Sequence, residues 1–425
     1  MAPLAEPSRH DRAMARVLLL LPTETYRAAD FLDAARALGA DVVVGSDRRL
    51  AISEAMPAAP LVVDFEAPEV AAKTIAAYAE ESPLDAVVAA DDQGVVVATL
   101  AAERLGLPHN PPAAAAATRD KAALRRALEG AGVPQPRYRV AEPEMDVATL
   151  ADEVGYPVVV KPLSLSASRG VIRADDPASA ALAAKRAGSI CEEAGAGTGA
   201  PLLVESYVPG KEVAVEGMLR GGELEILAVF DKLDFLEGPY FEETIYVTPS
   251  RLPDAAQNRI KDVSRRAIAA VGLTEGPIHA ELRVDDGDVT MLEIAVRSIG
   301  GLCSRSLRFG FGVTLEELIL RHALGLPLRE RGRKWAASGV MMIPITAAGV
   351  LRSVGGREEA LAVSGIVGLD ITVARGRRVR PLPEGDRYLG FLFAKGGSPE
   401  DVEGALRTAH GELDIEIDGA AEETR

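Results

Sequence analysis

Cysteine and histidine are scarce in this 425-residue chain, which contains only two cysteines and five histidines. Cys191 and Cys303 cannot form a disulfide framework, and no Cys/His cluster has the ligand spacing of a zinc site. The composition therefore argues against a disulfide-stabilised secreted domain and against a zinc protein. A reduced, cytoplasmic location fits it best.

Long apolar runs are also missing. The run 17–21 is too short for the hydrophobic region of a secretory signal, and Pro22 follows it directly, as at the end of a buried strand. No segment approaches the roughly 18 apolar residues that a membrane-spanning helix needs. We therefore expect a soluble protein without a membrane partner.

Basic residues are in deficit. Lys and Arg total 47 against 63 Asp and Glu, which gives a formal net charge of −16. A nucleic-acid binder needs a basic face that displaces counterions from phosphates, so this balance disfavours a nucleic-acid partner. A local basic pocket for a nucleotide is still compatible with it, because net charge says little about one cleft.

The periodicity predicts a multidomain protein with α/β and α+β parts. In residues 14–112, short apolar runs at 16–21, 41–45 and 86–90 alternate with helix-length segments, which is typical of a parallel sheet covered by helices. The proline-rich stretch 108–112 marks a boundary.

Residues 113–330 are predicted as a second, two-lobed domain. Its smaller lobe, about 113–204, has a helix from Thr118 to Leu128, strands 156–161 and 201–205, and a helix over 178–194. Its larger lobe, about 205–330, is strand-rich, with helices at 254–271 and 315–324 and a hairpin over 278–296. Residues 331–425 are expected to form a small α+β cap with one helix at 399–410.

The hairpin at 278–296 carries two carboxylates on one face. Side chains alternate across a strand, so the apolar residues of both strands share the core side and Glu281 and Glu293 lie on the other. A three-residue turn, 286–288, would set these glutamates directly opposite each other, where they repel. A divalent cation removes that repulsion, and Mg²⁺ prefers carboxylate and phosphate oxygens. An ordinary solvated hairpin face is the alternative.

Two lysines and a loop of small residues precede this hairpin. Lys161 ends an apolar strand, and residues 164–170, rich in serine, would let backbone N–H groups approach phosphates. Lys121 lies in the first turn of a helix, where a cation opposes the helix dipole unless an anion is nearby. Taken singly, each is more typical of an ordinary surface lysine or a solvent-exposed loop.

In chain order, these motifs resemble the ATP-grasp superfamily of carboxylate–amine ligases. The resemblance rests on residues 119–121, 160–170 and 205–212, together with Glu281 and the motif 293–297. It covers about 17–326, and roughly the last ninety residues are similar to the C-terminal domain of the L-amino-acid ligase branch. The implied fold is an N-terminal α/β domain, a two-lobed ATP-grasp domain and a small C-terminal domain.

The resemblance implies ATP and Mg²⁺ as cofactors, with Mn²⁺ as an alternative ion, and assigns the following roles. Nucleotide contacts are implied for Lys121, Lys161, Ser166, Ser168, Gly170, Glu205, Ser206, Tyr207, Val208, Glu212 and Lys232. Among these, residues 205–208 would meet the adenine and Glu212 would hold the ribose. Metal ligation is implied for Glu281 and Glu293, and catalysis for Arg297 with Lys161. Residues that follow Arg297 and would border the acceptor substrate are Ser298, Gly300, Gly301 and Arg305. Cys303 is interpreted as a pocket-wall residue, because no His and Asp set supports a nucleophile.

One departure concerns the metal motif, which the family writes Glu-x-Asn-x-Arg. Here Ala295 stands in the asparagine place and cannot ligate, which puts a second Mg²⁺ in doubt. The favoured hypothesis is an ATP-dependent ligase that joins a small-molecule carboxylate to an amine, releasing ADP and phosphate. A carboxylase using bicarbonate, a phosphotransferase and a non-catalytic ATP-binding protein are the alternatives, and a homodimer is left open.

Overall fold

The computed structural model describes residues 14–23, 25–48, 61–234, 236–328 and 334–419. Strands in these ranges form four sheets, and none of the helices there is long and apolar enough to cross a membrane. The domain boundary predicted near residue 330 lies outside the described residues.

The N-terminal sheet is parallel, in the order β3-β2-β1-β4. Its strands are β1 (Arg16–Leu20), β2 (Asp41–Ser46), β3 (Leu61–Val62) and β4 (Ala86–Ala89). The helices of this part are α1 (Ala28–Ala37), α2 (Pro68–Glu81) and α3 (Val95–Arg104). Alternate residues of β1 enter different cores, with Leu19 beside Phe31 of α1 and Leu18 beside Ile75 of α2. Helices on both faces therefore explain why β1 is a continuous apolar run.

Two helices lead from this sheet to the next. They are α4 (Pro112–Ala117) and α5 (Lys121–Gly130). The predicted helix start at Thr118 is wrong, because Thr118 ends α4 and Asp120 caps α5 by accepting hydrogen bonds from the backbone N–H groups of Ala122 and Ala123. Asp120, with a carboxylate and extended backbone, is the better cap.

The smaller lobe is an antiparallel four-stranded sheet in the order β5-β8-β6-β7. Its strands are β5 (Tyr138–Ala141), β6 (Val158–Pro162), β7 (Ile172–Ala174) and β8 (Leu202–Ser206). Its helices are α6 (Val147–Val154) and α7 (Pro177–Glu193). Lys161 and Glu205 thus lie on neighbouring strands, with Lys161 opposite Leu203 and Glu205 opposite Val159.

The larger lobe is built on an eight-stranded antiparallel sheet, ordered β13-β12-β9-β10-β11-β14-β18-β16. The strands from the predicted larger lobe are β9 (Lys211–Arg220), β10 (Glu223–Lys232), β11 (Ile245–Thr248), β12 (Gly276–Asp285) and β13 (Asp288–Ala295). They are accompanied by α8 (Asp254–Val271) and α9 (Leu315–Ala323).

The C-terminal segment does not form a wholly separate layer. Three of its strands, β14 (Ala337–Ile343), β16 (Ile366–Ile371) and β18 (Gly390–Gly396), extend the eight-stranded sheet. The other three, β15 (Gly349–Gly355), β17 (Arg378–Val379) and β19 (Asp414–Gly419), make a small sheet. The helices here are α10 (Arg357–Ala362) and α11 (Pro399–Gly411). Backbone hydrogen bonds across β11 and β14 join what the sequence predicts as two domains.

A buried arginine fixes the N-terminal sheet against the larger lobe. Arg27, only 1% exposed, donates to the carbonyl of Ala90 (2.7 Å) and to Ser298 Oγ (2.6 Å), and lies 3.4 Å from Glu316. Because the guanidinium is paired and hydrogen-bonded, its burial is tolerated. The N-terminal sheet, the smaller lobe, the larger lobe and the C-terminal segment together enclose one cleft.

Candidate functional site

A cavity of about 740 Å³ lies between the lobes, and most of the predicted site residues line it. On its wall are Lys121, Lys161, Ser166, Ser168, Glu205, Ser206, Tyr207, Val208, Glu212, Glu281, Glu293, Arg297, Gly300 and Gly301. Residues separated by up to 180 positions in the sequence therefore face one space.

The paired carboxylates of the hairpin are opposite each other, as predicted, but for a different reason. Strands β12 and β13 join through a two-residue turn, Asp286 and Gly287, both at positive φ, and not through the three-residue turn expected. A bulge between Glu281 and Leu282 restores the register, so that Glu281 pairs with Glu293. The two side chains line the cavity together.

A lysine bridges three carboxylates beside this pair. Lys232 Nζ lies 2.6 Å from Glu212, 2.6 Å from Glu243 and 2.9 Å from Glu281. Burial alone would lower the pKa of Lys232, but the three carboxylates outweigh it and raise the pKa well above its usual value. Lys232 does not line the cavity, because its ammonium is held by these acids. Its predicted contact with nucleotide stays a prediction.

Glu243 is a site residue that the sequence analysis missed. It lines the cavity, contacts Lys232 and accepts a hydrogen bond from the hydroxyl of Tyr246. Among the described residues, the carboxylates of Glu212, Glu243 and Glu281 lie close enough to one another to hold a metal ion. Glu293 is not part of this cluster. The segment before β11 carries no periodicity or spacing that would have pointed to Glu243.

His279 supports Glu281 from the other side. Its Nδ1 contacts Glu216 and its Nε2 lies 3.2 Å from Glu281 Oε1. Burial opposes the charged imidazole, but these two carboxylates raise the pKa of His279 to about 9. The imidazolium and Lys232 both contact Oε1 of Glu281, so neither uses Oε2.

Lys161 meets a buried carboxylate. Glu205, 2% exposed, forms ion pairs with both Lys161 and Arg125, and Arg125 also donates to the carbonyl of Leu292 (2.7 Å). Burial by itself would raise the pKa of Glu205, but the two cations outweigh it and lower the pKa. The side chain of Glu205, on the cavity wall, therefore holds these two cations, and its predicted contact with nucleotide stays a prediction.

Glu212 shows the same pattern. Its Oε2 accepts a hydrogen bond from Arg283 Nε (2.9 Å), while its Oε1 contacts Lys232. Arg283 also donates to the carbonyl of Val208 (2.6 Å), in the segment predicted to meet adenine. Tyr207, in that segment, stacks on Phe241 with ring centroids 6.4 Å apart. Arg283 therefore contacts both Val208, in the predicted adenine segment, and Glu212, the predicted ribose contact.

Lys121 and the serine-containing loop lie together at the cavity. Lys121 Nζ donates to the carbonyl of Leu165 (2.7 Å) and lies 3.7 Å from Glu293. Ala167 and Ser168 adopt positive φ, a conformation that is costly for residues with a Cβ. The backbone N–H of Gly170 is bonded to the carbonyl of Pro383 (3.0 Å), and Gly170 is not part of the cavity wall.

Arg297 is paired with an acid from the N-terminal sheet. Its Nη2 donates to Asp92 (3.0 Å), which also lies 3.2 Å from Arg119 and accepts from Ser166 Oγ (2.9 Å). Burial opposes ionisation of Asp92, but Arg297 and Arg119 outweigh it and hold its pKa well below the usual range. Asp92 follows the C-terminal end of β4, the edge at which parallel sheets commonly bind ligands, and this signal could have identified it.

Two predicted substrate residues serve the fold instead. Ser298 is 1% exposed and accepts from Arg27, and Arg305 pairs with Asp30 (2.9 Å) and Asp370 (2.8 Å). Neither lines the cavity. Cys303 does line it, and burial raises the pKa of its thiol, which argues against a nucleophile.

Three family models match the chain. They describe an ATP-grasp domain over residues 154–306, L-amino acid ligase C-terminal domain 2 over 341–418 and an ATP-grasp N-terminal domain over 32–109. The chain is 26% identical over 254 residues to alanine–anticapsin ligase of Bacillus subtilis, covering 56% of this chain and 53% of the relative. It is 33% identical over 217 residues to D-alanine–D-alanine ligase of Gluconobacter oxydans, covering 48% of this chain and 66% of the relative. The matches thus span about half to two thirds of these relatives.

Solved structures share the fold. The L-amino acid ligase from Bacillus licheniformis superposes with a TM-score of 0.77 at 24% identity, covering 95% of this chain and 99% of that one. N5-carboxyaminoimidazole ribonucleotide synthetase from Thermotoga maritima gives a TM-score of 0.67 at 18% identity, with 95% and 100% covered. At these identities the likeness extends to the arrangement of elements and not to substrates.

Proposed function

Because the chain belongs to the ATP-grasp superfamily, in its L-amino-acid-ligase-like branch, we propose that it uses ATP to join a small-molecule carboxylate to an amine. The observation that carries this proposal is the convergence of Lys121, Lys161, Arg297 and the Glu281–Glu293 pair on one cavity. We propose the domain division 14–112, 113–330 and 331–425, with lobes meeting near residue 204.

The nucleotide would lie with its phosphates between the two lysines and the serine-containing loop. Lys121 and Lys161 both line the cavity, and Lys161 is held in place by its ion pair with Glu205. Ser166 and Ser168 belong to the loop wall, while residues 205–208 would contact the base. Fixed cations act by positioning and electrostatics, which is what phosphoryl transfer requires.

Glu281 and Glu293 form a donor set that fits Mg²⁺. Both are carboxylates on paired strands at the cavity wall, and hard oxygen ligands suit this ion. Lys232 and His279 both contact Oε1 of Glu281, so Oε2 is the oxygen that would meet the ion. When bound, Mg²⁺ would neutralise charge on the phosphates. Ala295 supplies no further ligand, so we propose one ion, with Mn²⁺ as an alternative.

The reaction proceeds in two steps. An oxygen of the substrate carboxylate attacks the γ-phosphorus of ATP, the bond to the bridging oxygen breaks, and ADP and an acyl phosphate result. The amine then attacks the acyl carbon, forming the C–N bond, while phosphate leaves with the electrons of the C–O bond and the amine loses a proton. Arg297, on the cavity wall beside Gly300 and Gly301, would stabilise negative charge on the acyl phosphate.

The test is release of ADP by the purified protein with Mg-ATP, using panels of amino acids and other small carboxylic acids as donors and acceptors. We expect release only when a carboxylate and an amine are both present, with an amide product of matching mass. The biotin carboxylase domain of the Hydrogenobacter thermophilus 2-oxoglutarate carboxylase shares this fold and was solved with MgADP and bicarbonate, so bicarbonate is the second candidate substrate to test. Turnover with bicarbonate and no other acid would support that candidate, and Mg-ATP binding without turnover would contradict both.

A further inference from the structure

One carboxylate of the N-terminal sheet reaches three separate elements of the proposed nucleotide site. Asp92 begins a short 3₁₀ turn after β4 and contacts Arg297 (3.0 Å), Arg119 (3.2 Å) and Ser166 (2.9 Å). Arg297 follows β13 of the larger lobe, Arg119 precedes α5, and Ser166 lies in the serine-containing loop. All four side chains line the cavity.

The guanidinium of Arg297 is fixed from two directions. Its Nη2 donates to Asp92 and its Nη1 donates to the carbonyl of Ser298 (3.0 Å). The side chains of Arg297 and Asp92 are each 13% exposed, so the pair is only weakly screened by solvent. Two contacts to a planar, rigid group define its orientation as well as its position.

We infer that Asp92 is a positioning residue, through which the N-terminal domain aligns Arg297 and Arg119 and fastens the serine-containing loop for phosphoryl transfer. This inference rests on the proposed ligase function. Asp92 would not touch the transferred phosphoryl group; it acts through the two arginines and the serine.

The charges favour this role over competition with phosphate. Two guanidinium groups share one carboxylate, so the trio keeps a net positive charge with which to attract phosphate oxygens. Partly buried cations without a partner are destabilising, and Asp92 reduces that cost before any ligand arrives. The arginines are then oriented in advance, and preorganised groups need no rearrangement when charge develops in the transition state.

The decisive variant is Asp92→Asn, which keeps a polar side chain of the same size but removes the charge. With a working acid and amine pair, kcat should fall by about 100-fold, the loss typical of a catalytic group displaced by about 1 Å. The KM for ATP should change by less than about threefold, because the lysines that hold ATP are untouched. In an Arg297→Lys background the same change should lower kcat by a clearly smaller factor, since one of the groups that Asp92 positions is already replaced.

Asp41→Asn is the matched control. It breaks a carboxylate–arginine pair in the same sheet, with Asp41 2.6 Å from Arg16 and both about one third exposed, and it should leave kcat unchanged. If Asp92→Asn does not fold, Asp92→Glu keeps the charge but moves the carboxylate by one methylene, and it should also lower kcat, by a smaller factor in the Arg297→Lys background. A kcat within about threefold of the parent, or an equal loss in the Arg297→Lys background, overturns the inference while the ligase proposal stands.

A second measurement does not depend on catalysis. Phenylglyoxal modifies accessible arginines, and mass spectrometry of tryptic peptides gives the rate at Arg297 and Arg119. We expect both rates to rise severalfold in Asp92→Asn and to stay at parent values in Asp41→Asn. Should no acid and amine pair support ADP release, the ligase proposal fails and this labelling alone decides, with unchanged rates refuting the role of Asp92.

Discussion

Replacing Glu205 by Gln tests whether the lysine at the cavity is held by a buried ion pair. Glu205 is 2% exposed and binds both Arg125, 1% exposed, and Lys161. The substitution leaves two largely buried cations without their carboxylate, and removing one partner of a buried pair typically destabilises by about 3 to 5 kcal/mol. We therefore expect the free energy of unfolding to fall by about that amount.

Urea unfolding followed by far-UV circular dichroism measures this loss, and hydrogen exchange at β6 and β8 shows whether it starts in the smaller lobe. Glu153→Gln is the control, since Glu153 pairs with Arg139 at 3.0 Å on the surface of the same lobe, where such pairs contribute about 0 to 1 kcal/mol. Equal, small effects of the two variants would refute the reasoning. The parent should also lose this stabilisation in acid, because the pKa of Glu205 is lowered on folding. The stabilisation is fully present above the unfolded pKa of about 4 and is lost as the pH falls through the folded pKa. The Gln variant should lack this contribution to the pH dependence.

Four further results are expected. Arg297→Lys should lower kcat about 100- to 1000-fold in the ADP-release assay with little change in the KM for ATP, as for other groups that stabilise developing charge, and a normal kcat would exclude that role. Glu281→Gln and Glu293→Gln should each raise the Mg²⁺ concentration needed for half-maximal ADP release, whereas an unchanged requirement would remove both from the metal site. Ala295→Asn should lower the Mg²⁺ concentration needed for half-maximal ADP release, because asparagine adds an oxygen ligand. No change would contradict the interpretation that alanine at this place of the metal motif leaves the ion with one ligand fewer. Cys303 should react with a disulfide reagent only after unfolding, because its thiol is buried with a raised pKa; fast labelling of the native protein would argue for an accessible thiolate.

Features governed by local pattern were predictable from the sequence. The parallel N-terminal sheet, the helix now described as α8 (Asp254–Val271) and the hairpin of β12 and β13 follow from periodicity and from the turn residues between strands. The pairing of Glu281 with Glu293 was also predicted. The turn has two residues, not the expected three, and a bulge shifts the register by the one residue needed for this pairing. Alternation fixes which face a residue occupies, but only the hydrogen-bonded register decides its partner.

Contacts between distant segments could not be predicted in this way. In the sequence, Arg125 looks like one more charged residue of a helix, yet it is only 1% exposed. Its burial is possible because it pairs with Glu205, eighty positions later, and donates a hydrogen bond to the carbonyl of Leu292. Glu243 precedes β11 without any motif, and its role depends on Lys232 being presented by the neighbouring strand β10. The order of strands in the sheets cannot be derived from the sequence pattern alone. Without it, neither Arg125 nor Glu243 can be distinguished from an ordinary surface charge.

The two failures among the predicted substrate residues have a related cause. Proximity in sequence to Arg297 suggested that residues 298–305 border the acceptor, but the chain turns through a short 3₁₀ helix there and only some of its side chains reach the cavity. Ser298 and Arg305 instead contact Arg27 and Asp30, which lie at the start of α1 in the N-terminal domain. Asp92 comes from the same side, so the N-terminal sheet both closes the cavity and sets the charge around Arg297. On the proposed function, acceptor specificity should therefore depend on how that sheet is docked, and changes at its interface with the larger lobe should alter substrate preference without touching Lys121 and Lys161.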